Sequence, residues 1–446
     1  MPSYRTVWRW HFYAGVFAIP FVILLASTGS IYLFRPQIEA WIDRPYDGLA
    51  DAGAPAPPSR QVEAALAAVP GSMLRAYELP KTPTSAARVI VAKGGEATRV
   101  YVHPATLRVL HEVREEDRFM RVLFRLHGEL LLGNRGSNLV EIAASWTIVL
   151  LLTGLFLWWP REGQGLAGVA YPRLGAGGRV FWRDVHAVTG VWISSLALFL
   201  LLTGLPWAKF WGEYFKAARR VTGTAAAQQD WTTGRPPRAE SDEGEHAGHS
   251  GMSKGSGPAR PQDLSGLDRV VAAVRPLGLA PPVLVSPPSR REKNWTAKTD
   301  AANRPLRVNL VLDGATGAVL AREDFKDRHV LDRIVGTGIA AHEGQLFGWP
   351  NQVLGLLTAL GLVTLSVSAL VLWWRRRAAG VLGAPEPAAQ GPASIGLGLA
   401  VLLLALYLPL FGATLLAVRL LEGLVLRRIP AVRTWLGLAA PGGAVT

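Results

Sequence analysis

The 446-residue chain is half hydrophobic and only 18% charged, with a mean hydropathy of +0.22. That is too apolar for a soluble protein of this length and points to the membrane. Its 47 Lys plus Arg against 33 Asp plus Glu give a net charge of +14, and the lack of Cys excludes disulfides, Cys-ligated zinc, iron–sulfur clusters, a thiol nucleophile and covalent c-type haem.

In chain order, five apolar stretches are long enough to cross a bilayer as helices. They are residues 12–34, 139–159, 186–207, 352–374 and 395–418, and the second carries Glu141 near its start. The first is too long for a signal peptide and lacks a small-residue cleavage pattern. Arginines gather at alternate span ends. Arg5 and Arg9 precede the first span, Arg161, Arg173, Arg179 and Arg183 lie between the second and third, and Arg375, Arg376 and Arg377 follow the fourth. The positive-inside rule makes these regions cytoplasmic. Because the basic residues flank apolar runs, they predict lipid as a partner and no nucleic acid.

The expected organisation is therefore a first span with its cytoplasmic N-terminus (1–35), an outward module (36–138), a span (139–159), a cytoplasmic loop (160–185) and a span (186–207). A second outward module (208–351), a span (352–374), a short loop (375–394) and a fifth span with its tail (395–446) follow. A single fifth span leaves Arg419, Arg427, Arg428 and Arg433 outside, against the rule, unless Pro409 kinks it or the tail folds back.

Each outward segment shows strand alternation and a turn. Residues 98–103 read as a strand, His103-Pro104-Ala105-Thr106 as a turn, and 108–110 as the returning strand. Residues 306–312, the turn at Asp313-Gly314-Ala315-Thr316-Gly317, and 318–320 repeat the pattern. Helices are expected at 61–69 and 267–274, giving two small α+β modules. Residues 222–261 are rich in Gly, Ala, Pro and Ser and read as a disordered insertion, in which His246 and His249 are weak metal candidates.

Internal spacing ties the halves together. His11 is followed by Gly15 and Thr28-Gly29, and His186 by Gly190 and Thr203-Gly204, at the same offsets. His127 is followed by Gly133 and Trp158-Trp159, and His342 by Gly348 and Trp373-Trp374, again at matching offsets. The chain reads as a parallel duplication followed by a fifth span, with the copies related about the membrane normal. That axis brings His11 level with His186 at the cytoplasmic end and His127 level with His342 at the outward end. Two neutral imidazoles at one depth suit the axial positions of a haem iron. Without a c-type attachment motif the group expected is noncovalent haem b, one at each pair. Arg9 and Arg183 are candidate propionate partners at the first pair, and Arg125 and Arg135 at the second. No common nucleotide-binding or hydrolase motif is present, and no catalytic residue is assigned.

The segments Trp8-Arg9-Trp10-His11-Phe12-Tyr13-Ala14-Gly15, Thr28-Gly29-Ser30-Ile31-Tyr32, Leu126-His127-Gly128-Glu129-Leu130 and the Trp-Trp span ends resemble the PepSY-associated transmembrane helix proteins, often called iron-regulated membrane proteins. The resemblance covers nearly the whole chain outside the insertion. It implies a bacterial inner-membrane protein with two PepSY modules in the periplasm. It also implies an oxidoreductase activity, the reduction of a ferric siderophore to release ferrous iron. Some relatives carry fused flavin and ferredoxin-reductase domains, which this chain lacks. A separate donor, a cytoplasmic flavoprotein or a quinol, is therefore expected. The alternative is a non-redox, membrane-anchored regulator or inhibitor of periplasmic peptidases, since PepSY modules are also associated with peptidase inhibition.

Overall fold

The structure, a computed structural model, describes residues 3–50, 53–160, 165–224, 262–289, 292–387 and 395–438. Most of the expected insertion, His246 and His249 included, lies outside the described residues, as does Arg161. In chain order the elements are helices α1 (Tyr4–Tyr32), α2 (Arg35–Asp43) and α3 (Pro58–Ala68), then strands β1 (Met73–Glu78), β2 (Ala87–Lys93), β3 (Glu96–Val102) and β4 (Val109–Arg114). Helices α4 (Phe119–Glu129), α5 (Asn134–Trp158), α6 (Gly178–Gly204), α7 (Lys209–Val221) and α8 (Leu267–Val274) follow. Next come β5 (Val283–Ser286), β6 (Trp295–Thr299), β7 (Val308–Leu312) and β8 (Val319–Asp324). The chain ends with α9 (Val330–His342), α10 (Trp349–Arg376), α11 (Ile395–Tyr407), α12 (Pro409–Leu424) and α13 (Pro430–Leu436). It divides into two units, one of Met1–Leu33, Leu123–Thr232 and Ala341–Thr446, the other of Phe34–Val122 and Thr233–Ala340.

The first unit is helical. Among the described residues, Tyr4–Tyr32, Asn134–Trp158, Gly178–Trp207, Trp349–Arg376 and Pro409–Arg428 are long and apolar enough to cross a membrane, so the chain is a multi-pass membrane protein. Helix α1 contacts α5 and α10, and α6 contacts α5 and α10. The interior of this bundle is small and hydroxylated: Ala14, Ala18 and Thr28 on α1, Ala143, Ser145 and Thr147 on α5, Ser194 and Ala197 on α6, Thr358, Ser366 and Ser368 on α10. Large side chains such as Phe17, Leu152, Trp192 and Leu357 face outward. Where lipid is as apolar as leucine, helices associate through close backbone approach, and small residues allow it. A Cβ on Gly361 would stand 2.8 Å from the Ile193 side chain, which shows how close α6 and α10 run. Helices α1 and α6 begin about two turns before the expected spans. The charged first turns lower the hydropathy without lowering helix propensity, and the Ser3 side chain caps α1 by accepting from the Thr6 amide.

The second unit is a single antiparallel sheet in the order β4-β3-β2-β1-β5-β6-β7-β8. The sequence reads two separate modules. The structure joins them through β1 and β5, with Tyr77 opposite Val285 and Glu78 opposite Leu284. Helices α3 and α8 cover one face. The stripe Leu267, Val270, Val271 and Val274 on α8 follows helical spacing, and Val62 and Ala65 do the same on α3. Alternate strand residues meet them: Val89 and Val91 on β2, Val100 and Val102 on β3, Val285 on β5, Leu310 and Leu312 on β7. Ser59 joins the helices by donating from its amide and hydroxyl to Asp268, at 2.8 and 2.6 Å.

The opposite face of the first half holds buried charge. Arg99 pairs with Glu78 and Glu115, both at 2.6 Å, and Arg88 with Asp47 at 2.6 Å and Asp43 at 3.3 Å. Asp43 ends α2 and accepts from the Tyr101 hydroxyl at 2.9 Å, so the network fastens α2 to the sheet. Burial alone would raise the Glu115 pKa, but Arg99 and Arg118 overcome it and hold the carboxyl below its ordinary value. A carboxylate depressed in this way stabilises the fold above its unfolded pKa, and the contribution is lost as pH falls through the lower folded value. Arg99→Ala removes the closest cation from the buried Glu78 and from Glu115, which keeps Arg118, and should cost about 3 kcal/mol. The expected readouts are faster amide exchange in β1–β3 and an acid-unfolding midpoint moved to higher pH; unchanged exchange would refute the role of the network.

The apolar stretch 395–418 is two helices rather than one span. A Cβ on Gly412 would lie 2.9 Å from the Ala405 Cβ, so the chain doubles back at Leu408-Pro409. The turn meets α7, where Trp211 Nε1 donates to the Tyr407 carbonyl at 2.9 Å, and Phe411 packs on Trp146 of α5. The far end of the chain returns to the start of α1. Tyr13 Oη donates to the Leu436 carbonyl at 2.5 Å, and Arg9 donates to the carbonyls of Gly437 and Pro385. This return removes the conflict with the positive-inside rule, because Arg427, Arg428 and Arg433 follow the second arm of the hairpin back toward the end that holds Arg9. A reporter fused after the last residue should therefore report the same side of the membrane as one at the N-terminus. Signals from opposite sides would break the hairpin.

Candidate functional site

Four histidines of the helical unit lie at helix contacts. His11 on α1 and His186 on α6 face each other with ring centres 6.3 Å apart and planes at 85°. His11 Nδ1 lies 3.0 Å from Thr153 Oγ1 on α5, and His186 Nδ1 lies 3.1 Å from Ser368 Oγ on α10. His127 and His342 sit on α4 and α9, the short helices before α5 and α10. Their Nδ1 atoms lie 2.9 Å from Thr28 Oγ1 and 3.1 Å from Thr203 Oγ1. Seventeen residues separate His11 from Thr28 on α1, about 25 Å of helix, so the two pairs occupy opposite ends of the bundle.

Burial pushes the His127 pKa down to about 4. Burial, and then the charge of His127, do the same for His342. Both imidazoles are neutral near pH 7, the state in which a ring nitrogen offers a lone pair to a metal.

The first pair can be tested for fit. A metal–imidazole bond is roughly 2 Å, and the half-width of the ring adds roughly 1 Å. Two rings bound to one ion from opposite sides therefore stand about 6 Å apart, centre to centre. The observed 6.3 Å matches that spacing. With Nδ1 of each ring at a hydroxyl, Nε2 is the nitrogen left for an ion.

The expected arginines are placed as follows. Arg9 is committed to the C-terminal carbonyls and to Tyr13 Oη at 3.2 Å. Arg183 pairs with Asp184 at 3.0 Å and is otherwise exposed, and Asp184 also holds Arg173 at 2.6 Å. Arg125 is half-buried on α4 and Arg135 is exposed on α5. Arg376, absent from the expected set, places its guanidinium 4.9 Å over the Trp8 ring and 5.3 Å over Phe12, beside His11 in sequence. The other described histidines have local roles. His103 Nδ1 accepts from the Thr106 amide at 3.1 Å, just as Asp313 accepts from the Thr316 amide at 2.7 Å in the matching turn. His111 stacks on Tyr46, and His329 accepts from the Leu331 amide.

Sequence reasoning missed the hydroxyl partners. It noticed Thr28-Gly29 and Thr203-Gly204 only as repeat markers, and it passed over Thr153-Gly154 and Ser368. The signal was there, since Thr153 and Ser368 both lie five residues before the first Trp of a Trp-Trp pair.

The bundle thus carries one pair of imidazoles, His11 and His186, near one end and two further buried imidazoles, His127 and His342, near the other. The family model for the PepSY-associated TM region matches residues 8–376, and the chain belongs to that family. A search of the curated proteins gives no match.

Glu141, the one charge near the start of the second expected span, has a structural partner. It is fully buried on α5 and its Oε2 accepts from the Trp211 amide at 3.0 Å, while Ser137 Oγ accepts from the Lys209 amide at 3.0 Å. These amides are unpaired donors of the first turn of α7. Glu141→Gln keeps an acceptor and should be close to wild type in thermal stability. Glu141→Leu leaves buried donors without partners and should cost about 1–3 kcal/mol. Equal losses in the two variants would instead mean that the charge itself is needed.

Proposed function

We propose that the chain is a haem b protein of the bacterial inner membrane. In this reading it carries electrons to the periplasmic side and reduces a ferric chelate of the siderophore class. The observation that carries the reading is the His11–His186 pair, whose separation fits two axial ligands. Family membership supports it, and His127 and His342 offer a second pair at the other end of the bundle. Haem b, when bound, supplies reversible one-electron ferric/ferrous chemistry.

The chain's own residues have the remaining tasks. His11 with His186, and His127 with His342, would hold the haem irons. Trp158, Trp159, Trp373 and Trp374 set the bundle's depth at one interface. Trp158 Nε1 donates to the Val169 carbonyl and Trp373 Nε1 to the Leu382 carbonyl, so each pair also ties down the loop behind it. Large apolar side chains outside and small ones inside keep water from the buried imidazoles. Reduction releases iron because siderophore oxygens favour the hard ferric ion over the softer ferrous one. Electrons come from a separate donor, a cytoplasmic flavoprotein or a quinol. We infer further that the two halves arose by duplication and that the sheet unit is two joined PepSY modules in the periplasm. On this topology a reporter at Ala92 signals the periplasm, and a cytoplasmic signal there would overturn the orientation.

The decisive experiment is the pyridine haemochrome of full-length protein from haem-replete cells. We expect two haems per chain. His11→Ala and His186→Ala should each remove the same one, and His127→Ala and His342→Ala the other. Colourless wild-type protein would favour the non-redox regulator of periplasmic peptidases. Wild-type spectra in all four variants would show that other residues hold the group.

A further inference from the structure

The hydrogens of the four hydroxyl–imidazole contacts can be placed by counting. A Thr or Ser hydroxyl has one hydrogen to donate. In each case it is directed at a carbonyl of the hydroxyl's own helix. Thr28 Oγ1 donates to Leu24 O at 2.8 Å, Thr153 to Val149 O at 2.7 Å, Thr203 to Phe199 O at 2.7 Å and Ser368 to Leu365 O at 3.0 Å. A hydroxyl that already donates can only accept from the ring that faces it. At His186 a second acceptor, the carbonyl three residues before the hydroxyl, lies beside the first. The Leu365 oxygen lies 3.1 Å from His186 Nδ1. A carbonyl never donates, so Nδ1 must carry the hydrogen and a neutral ring then has a bare Nε2.

The next residue makes the room. A Cβ at Gly29 would stand 3.2 Å from His127 Cε1, one at Gly154 3.2 Å from His11 Cε1, and one at Gly204 3.3 Å from His342 Cε1. Ala369, the smallest chiral residue, follows Ser368. Larger side chains would push each ring away from its hydroxyl.

We infer that Thr28, Thr153, Thr203 and Ser368, each followed by Gly or Ala, are positioning residues that fix His127, His11, His342 and His186 as Nδ1–H tautomers with Nε2 free to bind a metal. The tautomer assignment stands on the chain alone, and only its consequence for haem rests on the proposed function. An outer-shell acceptor fixes ring orientation and tautomer and raises the basicity of the ligating nitrogen.

The test has two arms, both on the full chain. In haem-free protein, ¹⁵N spectra of labelled histidine should show Nδ1 protonated and Nε2 bare for these four rings. Thr28→Val should move only the His127 signals toward a mixture of tautomers, and Thr28→Ser should restore them. Nε2–H signals in the wild type, or no change in Thr28→Val, Thr153→Val and Thr203→Val, would overturn the assignment. In haem-loaded protein, each Val variant, and Ser368→Ala, should weaken haem retention about 10-fold and shift the midpoint potential upward, as expected for a less basic ligand. Ser in place of Thr should rescue both. Wild-type retention and potential in all four variants would overturn the positioning role. Haem-free wild type would sink the proposed function instead, and the nitrogen spectra would still decide the tautomers.

Discussion

A histidine buried in an apolar bundle needs a partner for each ring nitrogen, because an unpaired polar group there has no water to turn to. This chain meets the need at one nitrogen of each ring with contacts between helices. His11 joins α1 to α5, His186 joins α6 to α10, His127 joins α4 to α1, and His342 joins α9 to α6. Among the described residues, each contact leaves one nitrogen of its ring without a protein partner. The helices that must cross closely for these bonds to form are those whose buried positions are small. The same residues that let α1, α5, α6 and α10 approach one another, Gly154 and Ser368 among them, admit the rings. Helix packing and the candidate site are therefore one arrangement seen at two scales.

The sheet unit solves a different problem. The charge network of Arg88, Arg99, Glu78, Glu115, Asp43 and Asp47 uses the face of the sheet that α3 and α8 leave uncovered. Buried ion pairs contribute little net stability, but breaking one is costly, so they specify a single arrangement better than they strengthen it. Here the arrangement specified is the path of α2, the first element after α1 in the chain. The second half has a lighter version, in which Arg307 pairs with Asp300 at 2.7 Å.

Much of this was legible in the sequence. Hydropathy gave the first four spans, and helical spacing gave α8 to the residue. Matching offsets singled out the four histidines, because spacing is readable even where composition is unremarkable. Strands β1, β2, β5 and β6 were missed. They are short, and their pairing depends on residues far away in the chain, which no local pattern records. The α11–α12 hairpin was read as one helix because hydropathy has no sign for direction. Leu408-Pro409 reverses the chain within a uniformly apolar run. The hydroxyl partners escaped because Thr and Ser in a span first suggest back-bonding to their own helix. They do that here as well, and it is the back-bond that leaves them as acceptors for the histidines.

The two halves of the bundle differ at one place that organises what lies beyond them. Ser137 and Glu141 of α5 accept from the first amides of α7, but the residues at the matching positions of α10 are Gln352 and Leu356. Gln352 donates instead to the Leu33 carbonyl at the end of α1. Only the α5 side thus holds an amphipathic helix by its N-terminus, with Trp211 directed at the Tyr407 carbonyl. The same α5 presents Trp146 to Thr414 and Phe411 of the hairpin. A carboxylate that is costly to bury stands on α5 and not at the matching offset of α10, and the hairpin docks beside it. Of the residues beyond the family match, the described 395–424 are therefore seated by features that α5 has and α10 lacks. That asymmetry brings the C-terminal carbonyls to Arg9 and Tyr13 beside His11, while His186, its partner across the bundle, has no such cover from the described tail.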